Sequence, residues 1–396
     1  MSSIYGPPVP AGSAEEPPRP PSAGPGGPGR WRRDGERAGR AGRLPHHRRG
    51  LVLTVAGVAL AVAAGGTAWG LHVTQATPHK SARGASAIAA MVAPGVADIV
   101  CTLGYQHAIS AGTGLVLTPS GEVLTNNHVV EGATSIKVTD VGNGRTYPAS
   151  VAGYDLGGDV AVLHLRGASG LRTLSVGSAP EVTVGEKVIA LGNAGGRGGT
   201  PAVVTGRVTG LGESITATDQ SSGTPEQLTG LIRANAALQP GDSGGPLVTT
   251  AGQVIGLDTA GSAVFQFQPV TEAFAIPVGR AAAIAARIEG LRSSAAVHIG
   301  ATGFLGVQLR LEGVAGSTPA TEAAVTGILA GSPAARAGMT AGDVIVSVNG
   351  QPVSSPSSVQ ALLGTRHPGD KVSISWDDRA GHAHTATLVL ATGPAG

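Results

Sequence analysis

A single cysteine, Cys101, stands in a chain of 396 residues, so no intrachain disulfide can form. It follows Ile99 and Val100 and reads as a small core residue, with no neighbouring motif that would make it a nucleophile. Aromatic side chains are scarce, at 3%, which leaves Val, Leu, Ile and Ala to fill any core. Formal net charge is only +2, which excludes the broad basic footprint of a nucleic-acid binder. No cluster of His, Cys, Asp and Glu has metal-ligand spacing, so neither a metal nor another cofactor is expected. Glycine (63) and proline (27) are abundant instead. That composition suits turn-rich β structure with disordered parts, not a helical bundle.

The N-terminal part of the chain divides by composition. Residues 1–50 are rich in Pro, Gly and Arg and cannot bury enough apolar surface to offset chain entropy, so they read as a disordered tail. Arginines from Arg30 to Arg49 crowd its end. An uncharged, Ala- and Gly-rich run follows at 51–71. As a helix, about 20 such residues would span a bilayer core of about 30 Å. The arginines place its N-terminal side in the cytoplasm and everything after it outside. Fifty preceding residues are too many for the n-region of a signal peptide, so the expectation is an uncleaved single-pass anchor rather than a leader. Residues 72–90 read as a linker.

From 91 to 291 the chain alternates short apolar runs with Gly-containing turns. Examples are Gly114-Leu115-Val116-Leu117, Val160-Ala161-Val162-Leu163 and Gln253-Val254-Ile255-Gly256-Leu257. Such spacing predicts barrels or sandwiches. Ile284 and Ile288, four apart in an Ala-rich stretch, predict a helix near its end.

Within that region lies Gln239-Pro240-Gly241-Asp242-Ser243-Gly244-Gly245-Pro246-Leu247. Alone it reads equally as a Gly-rich β-turn. It would also suit a nucleophile, since the glycines let backbone N–H groups converge on one point, as an oxyanion requires. Two upstream stretches bear on the choice: Val123-Leu124-Thr125-Asn126-Asn127-His128-Val129-Val130, and Asp159-Val160-Ala161-Val162-Leu163-His164-Leu165. His128 alone could be a loop histidine and Asp159 a strand cap. Their order, His then Asp then Ser, is that of the chymotrypsin-type triad. A histidine of ordinary pKa near 6.5 can take the serine proton, and an aspartate can hold its tautomer. His107, His164 and His298 lack such partners and read as structural.

Together these stretches resemble the HtrA (Deg) branch of trypsin-like serine proteases, from about Gly112 to Pro277. The resemblance implies two six-stranded barrels, with His128 and Asp159 on the first and Ser243 on the second. It implies an oxyanion hole at the N–H groups of Gly241 and Ser243. The primary pocket would have Ala237, six residues before the nucleophile, at its base beside Leu238. Enzymes of this fold that cut after Arg or Lys carry Asp there, so cleavage after small or medium apolar residues is expected. Asp258-Thr259-Ala260 resembles the strand that pairs with substrate.

The sequence departs from the family pattern in places. Asp242 stands where many members carry Asn. No activation site precedes Ile99 that could free an N-terminus to pair with it, so it is expected to meet an arginine or face water. Ala194 replaces the usual Pro after Gly192-Asn193. Residues 74–100 lack the aromatics that trimers of the family use, which leaves a homo-oligomer open.

Residues 292–302 read as a linker and 303–392 as a compact module. Gly303-Phe304-Leu305-Gly306, Gly331-Ser332-Pro333-Ala334 and Gly342-Asp343-Val344-Ile345 through Asn349-Gly350 resemble the PDZ domain of the same family. The resemblance implies that Phe304, Leu305 and Gly306 receive a peptide C-terminal carboxylate. The fold class is therefore mostly β: two barrels, then a PDZ domain, behind a transmembrane helix. The function implied is an anchored extracytoplasmic serine endopeptidase acting on unfolded or exposed polypeptide segments in protein quality control. A rival reading is a catalytically latent surface module that binds peptides through its PDZ domain.

Overall fold

The computed structural model describes residues 84–177, 180–218, 225–259, 272–294, 296–310 and 322–395. The tail at 1–50, the candidate anchor at 51–71 and most of the 72–90 linker lie outside them. Among the described residues no helix is long and apolar enough to cross a membrane.

Helix α1 (Ala85–Val92) leads into six strands: β1 (Val96–Leu103), β2 (Ala108–Val116), β3 (Glu122–Thr125), β4 (Ser135–Asp140), β5 (Thr146–Asp155) and β6 (Val160–Leu165). A short helix, α2 (Asn127–Val130), interrupts them after β3. The sheet runs β5-β4-β1-β2-β3-β6, and β5 also pairs with β6, which closes the strands on themselves. A second closed barrel contains β7 (Lys187–Gly192), β8 (Ala202–Thr218), β9 (Pro225–Ala234), β10 (Pro246–Thr249), β11 (Val254–Thr259) and β12 (Ala273–Pro277). Helix α3 (Val278–Glu289) follows.

Strand alternation assigns the cores. On β6, Ala161, Leu163 and Leu165 fill the first barrel with Ile99, Cys101 and Val138. The intervening Val160 and Val162 face the other way. They join Ile189, Leu191, Val248 and Leu257 of the second barrel and Ile284 and Ile288 of α3 in a shared core. That core presses the two barrels together and shapes the seam between them.

The stretch 292–302 is not a free linker. Val297–Ile299 forms a strand, β13, antiparallel to Gly153–Asp155 of β5. Val297 is buried, and His298 stacks on Tyr154 with ring centroids 5.1 Å apart. Burying one valine and one imidazole against the barrel overrides the polar, serine-containing look of this segment.

The last module comprises β14 (Gly303–Phe304), β15 (Val307–Leu309), β16 (Ala323–Ile328), α4 (Pro333–Arg336), β17 (Val344–Val348), β18 (Gln351–Pro352), α5 (Pro356–Leu363), β19 (Lys371–Asp377), β20 (Ala383–Val389) and β21 (Ala391–Thr392). Asn349 and Gly350 both take positive φ, 49° and 77°, as a tight type I′ turn between β17 and β18 requires. Helix α5 starts with a capping box between Ser355 and Ser358. Val359 and Leu363 pack it into a core with Leu305, Ile345, Ile374 and Trp376. Strand β15 lies at the sheet edge, with β16 as its partner.

Cys101 is wholly buried in the first barrel, and burial pushes its thiol pKa up to about 12. A thiol-reactive dye should therefore leave the native protein unlabelled and should label one thiol per chain only in denaturant. Stoichiometric labelling of the native protein would contradict this packing.

Candidate active site

Two short loops and one strand end meet at the seam. On the first barrel, Asn126 precedes helix α2, and its side-chain amide donates to the Asp159 carbonyl at 3.0 Å. Asp159 sits just ahead of β6 with φ at +49°, a left-handed conformation that Asp tolerates better than most residues. This turn aims the carboxylate back at α2. The His128 backbone N–H donates to Asp159 Oδ1 at 3.1 Å, and His128 Nδ1 lies 3.0 Å from both carboxylate oxygens. Asp159 is buried, whereas the His128 side chain is 41% exposed. One imidazole nitrogen is thus held by the carboxylate while the ring keeps a face toward solvent.

The second barrel contributes to the same group. Thr259, at the end of β11, donates its hydroxyl to Asp159 Oδ2 at 3.1 Å. Asp159 therefore accepts from both barrels.

Ser243 lies on the turn that enters β10 and is itself buried. Gly241 has φ at +100°, and a Cβ there would collide with the Asn193 carbonyl, so only glycine fits. The turn is tied to the first barrel through Thr113. Thr113 N donates to the Ser243 carbonyl at 2.8 Å. Its hydroxyl donates to the Gly241 carbonyl at 2.7 Å and accepts from Asn193 N at 2.8 Å. Gly112, next to it, separates the His128 helix from the Ser243 turn. A Cβ on Gly112 would lie 2.5 Å from Val129 Cγ1 and 3.2 Å from the Ser243 carbonyl. The missing side chain is what lets helix and turn approach.

His128, Asp159, Ser243 and Gly241 are thus gathered in one region. Such an arrangement can do nucleophilic chemistry with a histidine base. The remaining candidates fare differently. Leu238 is buried in the second barrel, and Ala237 is exposed in the irregular stretch before the Ser243 turn. Asp258 is not available to pair with an extended chain. Its N–H donates to the Gly245 carbonyl at 2.8 Å, its carbonyl accepts from Gly244 N at 2.7 Å, and its side chain is wholly buried. Thr259 serves Asp159 with its hydroxyl, and Ala260 lies outside the described residues. Asp242 meets no arginine among the described residues and does not reach the surface. It is buried, with Oδ2 accepting from Gln239 N at 2.8 Å and Oδ1 unpartnered. Among the described residues, no group of three or more His, Cys, Asp or Glu could hold a metal ion.

In the last module Leu305 is buried, and its carbonyl accepts from Ala334 N at 3.0 Å. Gly306, at φ +82°, accepts from Leu329 N at 3.0 Å. The Phe304 ring stacks on Tyr105 of the β1–β2 turn, with centroids 5.6 Å apart and planes 9° from parallel. Phe304, Leu305 and Gly306 therefore form an ordered loop at the foot of edge strand β15, touching the first barrel.

Thr113 has no counterpart among the sequence expectations. A threonine between glycines in Ala111-Gly112-Thr113-Gly114 carries no local signal, because its partners lie 80 and 128 residues away.

The chain matches a family model described as trypsin-like peptidase domain over residues 112–257 and a PDZ domain model over 325–376. It is 32% identical to the serine protease PepD of Mycobacterium tuberculosis, over 76% of this chain and 65% of that protein. It is 35% identical to the putative serine protease HhoB of Synechocystis, over 67% and 62%. It is 33% identical to the periplasmic serine endoprotease DegP of Escherichia coli, over 68% and 54%. The chain thus spans less than two thirds of the length of these curated relatives.

Replacing Thr113 by Val keeps the shape and removes the hydroxyl. Asn193 N and the Gly241 carbonyl then lose a buried partner, at about 1–3 kcal/mol for each group stranded. Thr113→Val should lower the thermal unfolding midpoint, whereas Thr146→Val, whose exposed hydroxyl bonds that of Thr139, should barely change it. Equal midpoints for wild type and Thr113→Val would show that the turn does not depend on this hydroxyl.

Proposed function

The chain belongs to the HtrA-type trypsin-like serine proteases that carry a C-terminal PDZ domain, and on that premise we propose that it is a membrane-anchored, extracytoplasmic serine endopeptidase. The observation that carries this reading is the bonding of His128 Nδ1 to Asp159, which Thr259 clamps from the opposite barrel beside the Ser243 turn. Ser243 Oγ would attack the scissile carbonyl while His128 takes its proton through the ring nitrogen not facing Asp159. The developing oxyanion would sit at the N–H groups of Gly241 and Ser243. His128 would then return the proton to the leaving amine, and water would release the acyl group by the same route in reverse. Asp159 holds the tautomer and stabilises the imidazolium.

For specificity, the family resemblance puts Ala237 and Leu238 at the base of the primary pocket. Ala237 and Leu238 offer no charge to a cationic side chain, and burying an unpaired cation would cost several kcal/mol. We therefore assign cleavage after small or medium apolar residues. Among the described residues, edge strand β15 pairs on one side only, which leaves the other for β-augmentation. Partly buried Val307, Leu309 and Leu362 line the core next to it, which suits an apolar peptide C-terminus entering at Phe304–Gly306. Exposed or unfolded polypeptide segments would be the substrates, as in protein quality control, and the run at 51–71 would be the anchor.

The test incubates the full chain and its Ser243→Ala variant with a reduced, alkylated and hence permanently unfolded protein, and maps the cuts by mass spectrometry. Cuts after Val, Ala, Ile or Leu in wild type alone are expected. Cuts after Arg or Lys would retain the nucleophile and overturn the Ala237 argument. Cutting by both proteins, or by neither with or without apolar C-terminal peptides added, would overturn the enzyme. Asp159→Asn should lower kcat by about four orders of magnitude. Activity should also fall as His128 is protonated on acidification.

A further inference from the structure

Asp242 and Asp258 are the most deeply buried carboxyl groups beside the candidate nucleophile, at 2% and 0% exposure. Asp242 receives one hydrogen bond, from Gln239 N to Oδ2. Among the described residues its Oδ1 and both oxygens of Asp258 have no partner. An ionised carboxylate stripped of water and of partners is strongly disfavoured.

The two residues belong to one knot of backbone bonds. Gly245 N donates to the Asp242 carbonyl at 2.9 Å, Asp258 N to the Gly245 carbonyl at 2.8 Å, and Gly244 N to the Asp258 carbonyl at 2.7 Å. Ser243 sits inside that knot. Titratable groups on the neighbouring strands are Asp98 of β1, buried opposite Thr113 with Oδ2 accepting from Gly199 N, and Arg233 of β9, opposite Phe274 and paired with Glu213. Strand β7 presents Gly192, against which Asp242 Oδ1 lies. Strand β12 presents Phe274 and Ala275, and β2 presents Thr113, which holds the neighbouring Gly241. Residues 260–271 contain no titratable side chain. A hydrogen-bonded connection to Asp159 and His128 runs through Thr259.

Burial raises both carboxyl pKa values, Asp242 to about 6 and Asp258 well above its ordinary range, and charge on Asp242 raises Asp258 further. Among the described residues no cation offsets either shift.

We propose that Asp242 and Asp258 are a coupled pair of positioning residues, which hold the Gly241–Ser243 turn in its ordered form while they carry at most one negative charge between them. This rests on Ser243 being the nucleophile. The sign follows from the burial. The folded state holds protons that the unfolded chain gives up near pH 4. The stability contributed by this pair is therefore full at low pH and is lost as pH rises through about 6 and, for Asp258, beyond. His128 works in the opposite sense, since catalysis needs it neutral. Activity is thus confined to a window, with an acid limb from His128 and an alkaline limb from the pair.

The test has two arms, both on the full chain. In a Ser243→Ala background, which removes self-digestion, melting temperatures are measured from pH 5 to pH 9 with and without Asp242→Asn or Asp258→Asn. The parent should lose melting temperature from pH 5 to pH 8. Each Asn variant should melt above it at pH 8, with the gap closing toward pH 5. In the Ser243 background, the alkaline limb of kcat/KM should move up by about one pH unit or more in Asp258→Asn, with the acid limb unmoved. Asn variants that melt at or below the parent at pH 8, or that lower activity equally at every pH, would overturn the pair. If wild type cleaves nothing, the enzyme reading fails, and the melting arm still decides whether the two carboxyls share their charge.

Discussion

The hydrogen bonds of Thr113 are the constraint on which the site depends. Its backbone N–H holds the Ser243 carbonyl, and its hydroxyl bridges Gly241 and Asn193. Two barrels pressed together by aliphatic side chains have no directional preference of their own, because burial of Val and Leu is not sensitive to small sliding motions. A wholly buried threonine that satisfies three groups across the seam is sensitive to such motions. Thr259 adds a second tie, from the other barrel to Asp159. The shared core brings the halves into contact, and these polar ties set their register. The histidine helix and the serine turn can then meet over Gly112, where any side chain would hold them apart.

Much of this was legible in the sequence, for physical reasons that differ by element. The barrel strands announce themselves as short apolar runs between glycine-containing turns, because strands such as Val160–Leu165 are buried on both faces. The PDZ turn at Asn349-Gly350 is legible because few dipeptides accept two positive φ angles. His128, Asp159 and Ser243 stand out through chain order, which no single residue carries. What was not legible depends on distant contacts. The 292–302 segment looks polar, and only the presence of Tyr154 and the open edge of β5 makes a strand of it. Thr113 is one threonine among many until the turn around Ser243 closes on it.

The Asp258 position shows how a motif can mislead. In the sequence, Asp258-Thr259-Ala260 reads as one substrate-pairing unit. In the fold, alternation along β11 splits it. Asp258 is enclosed with both backbone groups used by the nucleophile turn, while Thr259 reaches across to Asp159. Neighbours in sequence therefore do different work: one supports the turn from within, and the next positions the base.

Asp242 illustrates the same point energetically. A carboxyl at this place is expected to find an arginine or water, because a buried charge without either is costly. Among the described residues the fold supplies no arginine, and burial keeps the group off the surface. The fold supplies a second carboxyl on the same knot of backbone bonds, and like charges in one enclosed volume cannot both persist cheaply. A protonated carboxyl escapes that cost, so the molecule keeps the acid form where a surface residue would lose it. The price is a turn whose order depends on proton activity, located within one residue of Ser243. Amides in both places would remove that dependence. Retaining two acids in an enclosed place makes the geometry around Ser243 a function of pH, in the opposite sense from the histidine that must stay uncharged.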